Sequence, residues 1–83
     1  MELKLAVLAK AKLISHKVLD NHRVRVRLEF VTGEEWQEAK KEIERRGFFC
    51  EEGEAEYATY ALFCYGEGIR ECLGIYTPEY EIV

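Results

Sequence analysis

Amide and hydroxyl side chains are scarce in this 83-residue chain, which has one Gln (Gln37), one Asn (Asn21), one Ser (Ser15) and a single Pro at Pro78. That scarcity excludes a Ser- or Pro-rich linker and any low-complexity tract, so 1–83 reads as one domain. With 34% charged residues drawn mainly from Glu, Lys and Arg, the composition leans toward proteins of hot habitats, where ion pairs cost less to desolvate. An archaeal or viral source fits that lean. Long apolar runs are missing as well. The longest uncharged stretch, 57–66, falls far short of the ~20 residues a membrane helix needs, and Glu2, Lys4 and Lys10 interrupt the first ten residues where a secretory signal would be apolar. The expectation is a soluble protein of the cytoplasm (the host cytoplasm for a viral chain) without a membrane partner.

Patterns that carry chemistry are equally thin. Ser15, His16 and Asp20 have the residue types of a nucleophilic triad, but neighbours on a strand point to opposite faces. His16 and His22 flank the same turn, yet no CxxC or HxxxH spacing accompanies them, so no metal site is expected. Cys50, Cys64 and Cys72 are an odd number; an internal disulfide would leave one thiol over, and in a reducing cytosol all three would be core thiols. Gly66-Glu67-Gly68 lacks the third glycine and the following helix of a phosphate loop and reads as a turn. Paired carboxylates such as Glu34-Glu35 and Glu51-Glu52 fit solvated surface. No catalytic residue, cofactor or small-molecule substrate is expected, and the chain does not read as an enzyme.

What is present is a well-written helix, TGEEWQEAKKEIERRG, from Thr32 to Gly47. Thr32 can cap the first turn, with Glu35 three residues on completing a capping box and Val31 positioned to staple onto Trp36. Trp36, Ala39 and Ile43 recur on one stripe, and Gly47 supplies a left-handed stop. An amphipathic helix of this kind needs a sheet beneath it.

Strand patterns flank it. Leu3, Leu5, Val7, Ala9, Ala11 and Leu13 hold every odd position while Glu2, Lys4, Lys10 and Lys12 fall on even ones, favouring a strand over a helix of the same composition. Val24, Val26, Leu28 and Phe30 alternate with Arg23, Arg25, Arg27 and Glu29. A two-residue turn at Asp20-Asn21 would set Leu13 against Leu28, Ala11 against Phe30 and Lys12 against Glu29. After the helix come a short strand at Phe48-Phe49-Cys50, a turn at 51–54, an aromatic segment at 55–65 read as strand, a hairpin loop at 66–68 and a last strand at 69–76 ended by Pro78. The fold class is α+β: a two-layer ββαβββ sandwich with one amphipathic helix on a mainly antiparallel sheet.

Two surfaces follow. The aromatic segment is apolar at both parities, with Tyr57, Ala61, Phe63 and Tyr65 on one side and Ala58, Tyr60, Leu62 and Cys64 on the other. One helix covers one face only, so Tyr57, Ala61, Phe63 and Tyr65 are the expected interface of a homodimer. The second surface is basic, with Arg23, Arg25 and Arg27 sharing a strand face to which Lys10 and Lys12 project from the paired strand, a ribbon able to track nucleic-acid phosphates. Charge is uneven: 1–31 carry seven Lys and Arg against three acidic residues, whereas 47–83 carry eight Glu against Arg70 alone. The first expectation is a non-enzymatic interaction protein that self-associates and binds another macromolecule, such as a regulator or inhibitor whose acidic half imitates nucleic-acid charge. The alternative is a nucleic-acid-binding module using Lys10, Lys12, Arg23, Arg25 and Arg27.

Overall fold

A computed structural model describes residues 5–19 and 23–75. In chain order these form a 3-10 turn (Ala6–Lys10), strands β1 (Leu13–Val18) and β2 (Val24–Phe30), helix α1 (Gly33–Arg45), strands β3 (Phe49–Gly53) and β4 (Tyr60–Tyr65), and a short helix α2 (Ile69–Leu73). All four strands join one antiparallel sheet in the order β1-β2-β4-β3. Both helices and the 3-10 turn cover one face, which makes the fold α+β with a helix packed on an antiparallel sheet. Among the described residues no helix is long and apolar enough to cross a membrane.

Helix α1 forms where its residues dictate. The Thr32 hydroxyl accepts the Glu35 amide at 3.2 Å, the forward arm of the capping box. At the other end Gly47 sits at φ 96°, where a side chain would strain the backbone; its amide reaches Glu44 O at 2.9 Å and the Phe48 amide reaches Ile43 O at 3.4 Å, a Schellman closure. Ala39 and Ile43 are fully buried, and the Trp36 Nε1–H donates to Ala61 O at 2.7 Å, which ties the helix to the start of β4. Val31 does not close a staple over it and stays 47% exposed.

The core is one cluster in which Ile14, Val26, Leu28, Phe30, Leu62 and Cys64 from the sheet meet Val7, Leu8, Ile43, Ile69 and Leu73 from above. Burying such a set supplies most of the fold's stability, at roughly 1.5–3 kcal/mol per large apolar side chain.

Beyond Val31, four expectations are corrected, the first being the turn at 51–54 and the strand from 55: β3 runs on to Gly53 and β4 starts only at Tyr60. The alternation read over 3–13 is not a strand at 6–10: Leu5, Leu8 and Ala11 instead line one side of the 3-10 turn, with the Leu8 amide bonding Leu5 O and the Ala11 amide bonding Leu8 O, each at 3.1 Å. Leu8, apolar at an even position and fully buried, is the residue for which the alternation does not account. The β1–β2 register is shifted by one, placing Leu13 opposite Glu29 and Ile14 opposite Leu28, because the closing bond runs from Leu19 N to Arg23 O at 2.8 Å. A one-residue slip turns the strand over, so Ile14 and His16 share the core face with Leu28 and Val26. Finally, 69–73 is helical rather than a fifth strand, stopped by Gly74 at φ 73°. Its buried Ile69 and Leu73 lie at i, i+4 spacing and close the core beside β2. The two-residue turn itself and the tail after Pro78 lie outside the described residues.

Candidate interaction face

The sheet's second face carries the odd-numbered residues of every strand, and the pairing arranges them in three rows. Lys17, Arg25, Tyr65 and Phe49 form the first; Ser15, Arg27, Phe63 and Glu51 the second; Leu13, Glu29, Ala61 and Gly53 the third. Among the described residues no helix covers this side.

At the third row, however, the chain's own 54–59 segment is tied to Glu29. Glu29 is fully buried and its carboxylate collects three successive backbone amides, from Glu56 at 3.1 Å, Tyr57 at 2.7 Å and Ala58 at 2.9 Å. Arg27 supplies the counter-charge, with Nη2 at 2.6 Å and Nε at 3.0 Å from Glu29 Oε2, and reaches Glu56 Oε1 at 3.5 Å. Burial by itself would raise the Glu29 pKa; the amides of Tyr57, Ala58 and Glu56 together with the Arg27 guanidinium outweigh it and hold the carboxyl below its usual range. Glu29 is thus the post to which a loop is tied, and its row neighbours Leu13 and Ala61 are buried as well.

Apart from Ser15, which is 1% exposed, the first two rows stay at least partly open. The Arg25 and Arg27 guanidinium carbons lie 5.0 and 5.6 Å from the Phe63 ring centre, within cation–π range. Phe63 leans over Gly53 so closely that a Cβ there would come within 1.8 Å of the ring. Beside it Tyr65 donates its hydroxyl to Glu51 at 2.9 Å, and its ring stands 6.0 Å from that of Phe49, which is 61% exposed. Burial first, then the Glu51 carboxylate, push the Tyr65 phenol up, with Arg25 opposing. From β1 to β3 the surface runs from basic (Lys17, Arg25, Arg27) through aromatic (Phe63, Tyr65) to aromatic and acidic (Phe49, Glu51).

The residues expected from sequence are partly regrouped. Phe63 and Tyr65 do share the open face. Ala61 shares it too, but is only 1% exposed. Tyr57 is not on the strand: it precedes β4, gives its amide to Glu29 and leaves its side chain 58% exposed. Of the basic set, Arg25 and Arg27 are brought together. Arg23 lies before β2 at the mouth of the hairpin; Lys10 ends the 3-10 turn; and Lys12, which the register shift moves to the opposite parity, is held by its amide bond to Glu29 O at 2.7 Å. The five-residue ribbon is therefore not assembled. Because β2 and β4 are neighbours, arginines and aromatic rings lie on one face.

Elsewhere the chemistry is sparse. Ser15 and His16 are both buried on opposite faces of β1, and the His16 Nε2 lies 3.2 Å from Arg70 Nη1 rather than beside a nucleophile. Among the described residues no three His, Cys, Asp or Glu side chains converge as metal ligands. An open groove on α1 is lined by Trp36, Gln37, Lys40, Lys41 and Glu44, with the Lys40 ammonium 5.3 Å from the Trp36 ring centre. The Cys50 and Cys64 sulfurs meet in the core at 3.0 Å, and the contact with Cys50, together with burial, pushes the Cys64 thiol far up. The chain matches no known family model, no curated protein and no solved structure.

Proposed function

We propose that this chain is a non-enzymatic interaction protein that self-associates through the open part of its outer sheet face and, as the assembled form, engages another macromolecule. The observation that carries this reading is the charge order of that face, basic at β1 and β2 and aromatic to acidic at β4 and β3. A two-fold axis running along the strands sets β1 of one copy over β3 of the other and β2 over β4. Row by row, Lys17 then faces Phe49 of the second copy and Arg25 faces Tyr65, with Glu51 of the second copy one row along from Lys17, and the same contacts repeat on the other side of the axis. Aromatic residues flanked by arginine are the usual anchors of such contacts. Light scattering at high micromolar concentration should give a dimer mass. Lys17→Glu should weaken the dimer and Glu51→Lys added to it should restore it; a monomer mass for the unaltered protein at that concentration overturns the reading.

A second reading, a single-stranded nucleic-acid platform, is supported by Arg25 and the rings of Phe63 and Tyr65 lying on one face. It is the weaker one. Arg27 is committed to Glu29 and Glu56, which leaves Arg25 and Lys17 to attract phosphate against a net charge of -4. Retention on single-stranded DNA or RNA at low salt, falling steeply as salt rises, would favour it; no retention at low salt removes it.

A further inference from the structure

Cys50 on β3 and Cys64 on β4 occupy facing positions in the register. Such positions hold Cα atoms about 4.5–5.5 Å apart, inside the roughly 4.4–6.8 Å span of a disulfide. The side chains already use that placement, because the two sulfurs point at each other across 3.0 Å within the core. Strand β4 is held on both sides, by β2 and β3, whereas among the described residues β3 is an edge strand bonded to β4 alone. A covalent link here would fasten the least supported strand of this half of the sheet to one of its central strands.

We propose that Cys50 and Cys64 form a dithiol–disulfide couple, a redox modification site that clamps β3 onto β4 when oxidised by a small peroxide. Cys50, a residue 5% exposed, is the less buried of the pair and Cys64, at 0%, the sheltered one. The Cys50 thiolate attacks one oxygen of hydrogen peroxide; an S–O bond forms, the O–O bond breaks, and the departing hydroxide takes a proton to become water. The Cys64 sulfur then attacks the Cys50 sulfenic sulfur; the S–S bond forms, the S–O bond breaks, and the second hydroxide leaves as water with the Cys64 proton. Two thiols lose two electrons in all, and one peroxide becomes two waters. Cys72, half-buried on α2, is the thiol left over. Because β3 carries Phe49 and Glu51, the clamp would also stiffen the face proposed for self-association; that consequence rests on the earlier reading, and the couple itself does not.

The folded, reduced protein is treated with hydrogen peroxide and compared with an untreated sample by intact mass, by peptide mapping without reductant and by hydrogen exchange. The expected result is a loss of about 2 Da per chain, a peptide linking Cys50 to Cys64, one thiol still open to alkylation at Cys72, and slower exchange at 49–53, all reversed by a small dithiol reductant. Cys72→Ser should keep the mass loss, and Cys50→Ser or Cys64→Ser should abolish it. Oxygen additions without a cross-link, a cross-link through Cys72, or no reaction in the folded chain overturns the couple. The peptide map of the unaltered protein decides between these outcomes even where a serine variant fails to fold, and a dimer or monomer mass in the reduced sample tests the self-association separately.

Discussion

The two faces of one sheet are closed by different means. The inner face is closed by apolar matter: Leu28, Leu62, Val26 and Phe30 lie under Ile43, Leu8 and Leu73, and shape alone decides the fit. The outer face has no such cover among the described residues, and its closed third depends on a single carboxylate that gathers three backbone amides and an arginine. A domain of this size buries only about 60% of its unfolded surface and has few elements to spend on a second layer. Tying a loop to a buried charge covers part of the second face with little chain, and the part it leaves open is where the rings of Phe63, Tyr65 and Phe49 stand.

The comparison breaks most sharply at Glu29. Neutralising one partner of a buried, hydrogen-bonded ion pair leaves Arg27 without its counter-charge and gives three amides a weaker acceptor, so Glu29→Gln should cost about 3 to 5 kcal/mol, comparable to removing a large core side chain. Chemical denaturation at neutral pH measures it. The pH dependence carries the sign. The folded Glu29 pKa lies below its ordinary value of 4.5, so the unfolded chain takes up the proton first; the stabilisation is complete above the unfolded value and is lost as pH falls through the folded one. The unaltered protein should therefore weaken in acid by more than Glu29→Gln does. A stability gap that stays constant from neutral pH to well below 4.5 would show that the carboxylate is not what holds the loop.

Gly53 tests the boundary between the closed and open parts. A methyl group there enters the space of the Phe63 ring, which must shift and disturb its contacts with Arg25 and Arg27. Gly53→Ala should cost about 1 to 3 kcal/mol, as overpacking does. In a Phe63→Ala background the same change should cost almost nothing, because the obstacle is gone. Full additivity in that cycle would mean that the glycine is required for its backbone and not for the ring.

The inner face is far more legible in the sequence than the outer. Thr32, Trp36, Ala39, Ile43 and Gly47 write helix α1 in local terms, and β2 follows from strict alternation, since cap, stripe and stop act within a few residues of each other. The outer face depends on registers that no local rule supplies. One residue more in the β1–β2 connection puts Ile14 rather than Leu13 in the core and moves Lys12 off the basic stripe. Segment 69–73 could pair as a strand or coil as a helix on its own residues, and the core beside β2 decides for the helix. Glu29, an acidic residue on an arginine stripe, looks in the sequence like a flaw in a phosphate-binding ribbon; only the fold brings the 54–59 amides to it. Phe49 is visible as part of a short strand, but its place beside Tyr65 requires the β3–β4 pairing.

The smallest effect is expected at Phe49, and it is also the most informative about what the open rows are for. Its side chain is 61% exposed and makes its ring contact with Tyr65 at the rim of the face. A change at such a position moves the stability of a single chain by no more than about 0.5 kcal/mol, so Phe49→Ser should leave the unfolding midpoint of dilute protein where it was. At high concentration the same change should shift sedimentation from dimer to monomer, since it removes an aromatic anchor from both halves of a two-fold contact at once. The pair of measurements separates two kinds of surface. A face closed within one chain would lose stability when Phe49 is cut and show no change in mass; a face closed by a second copy would do the reverse.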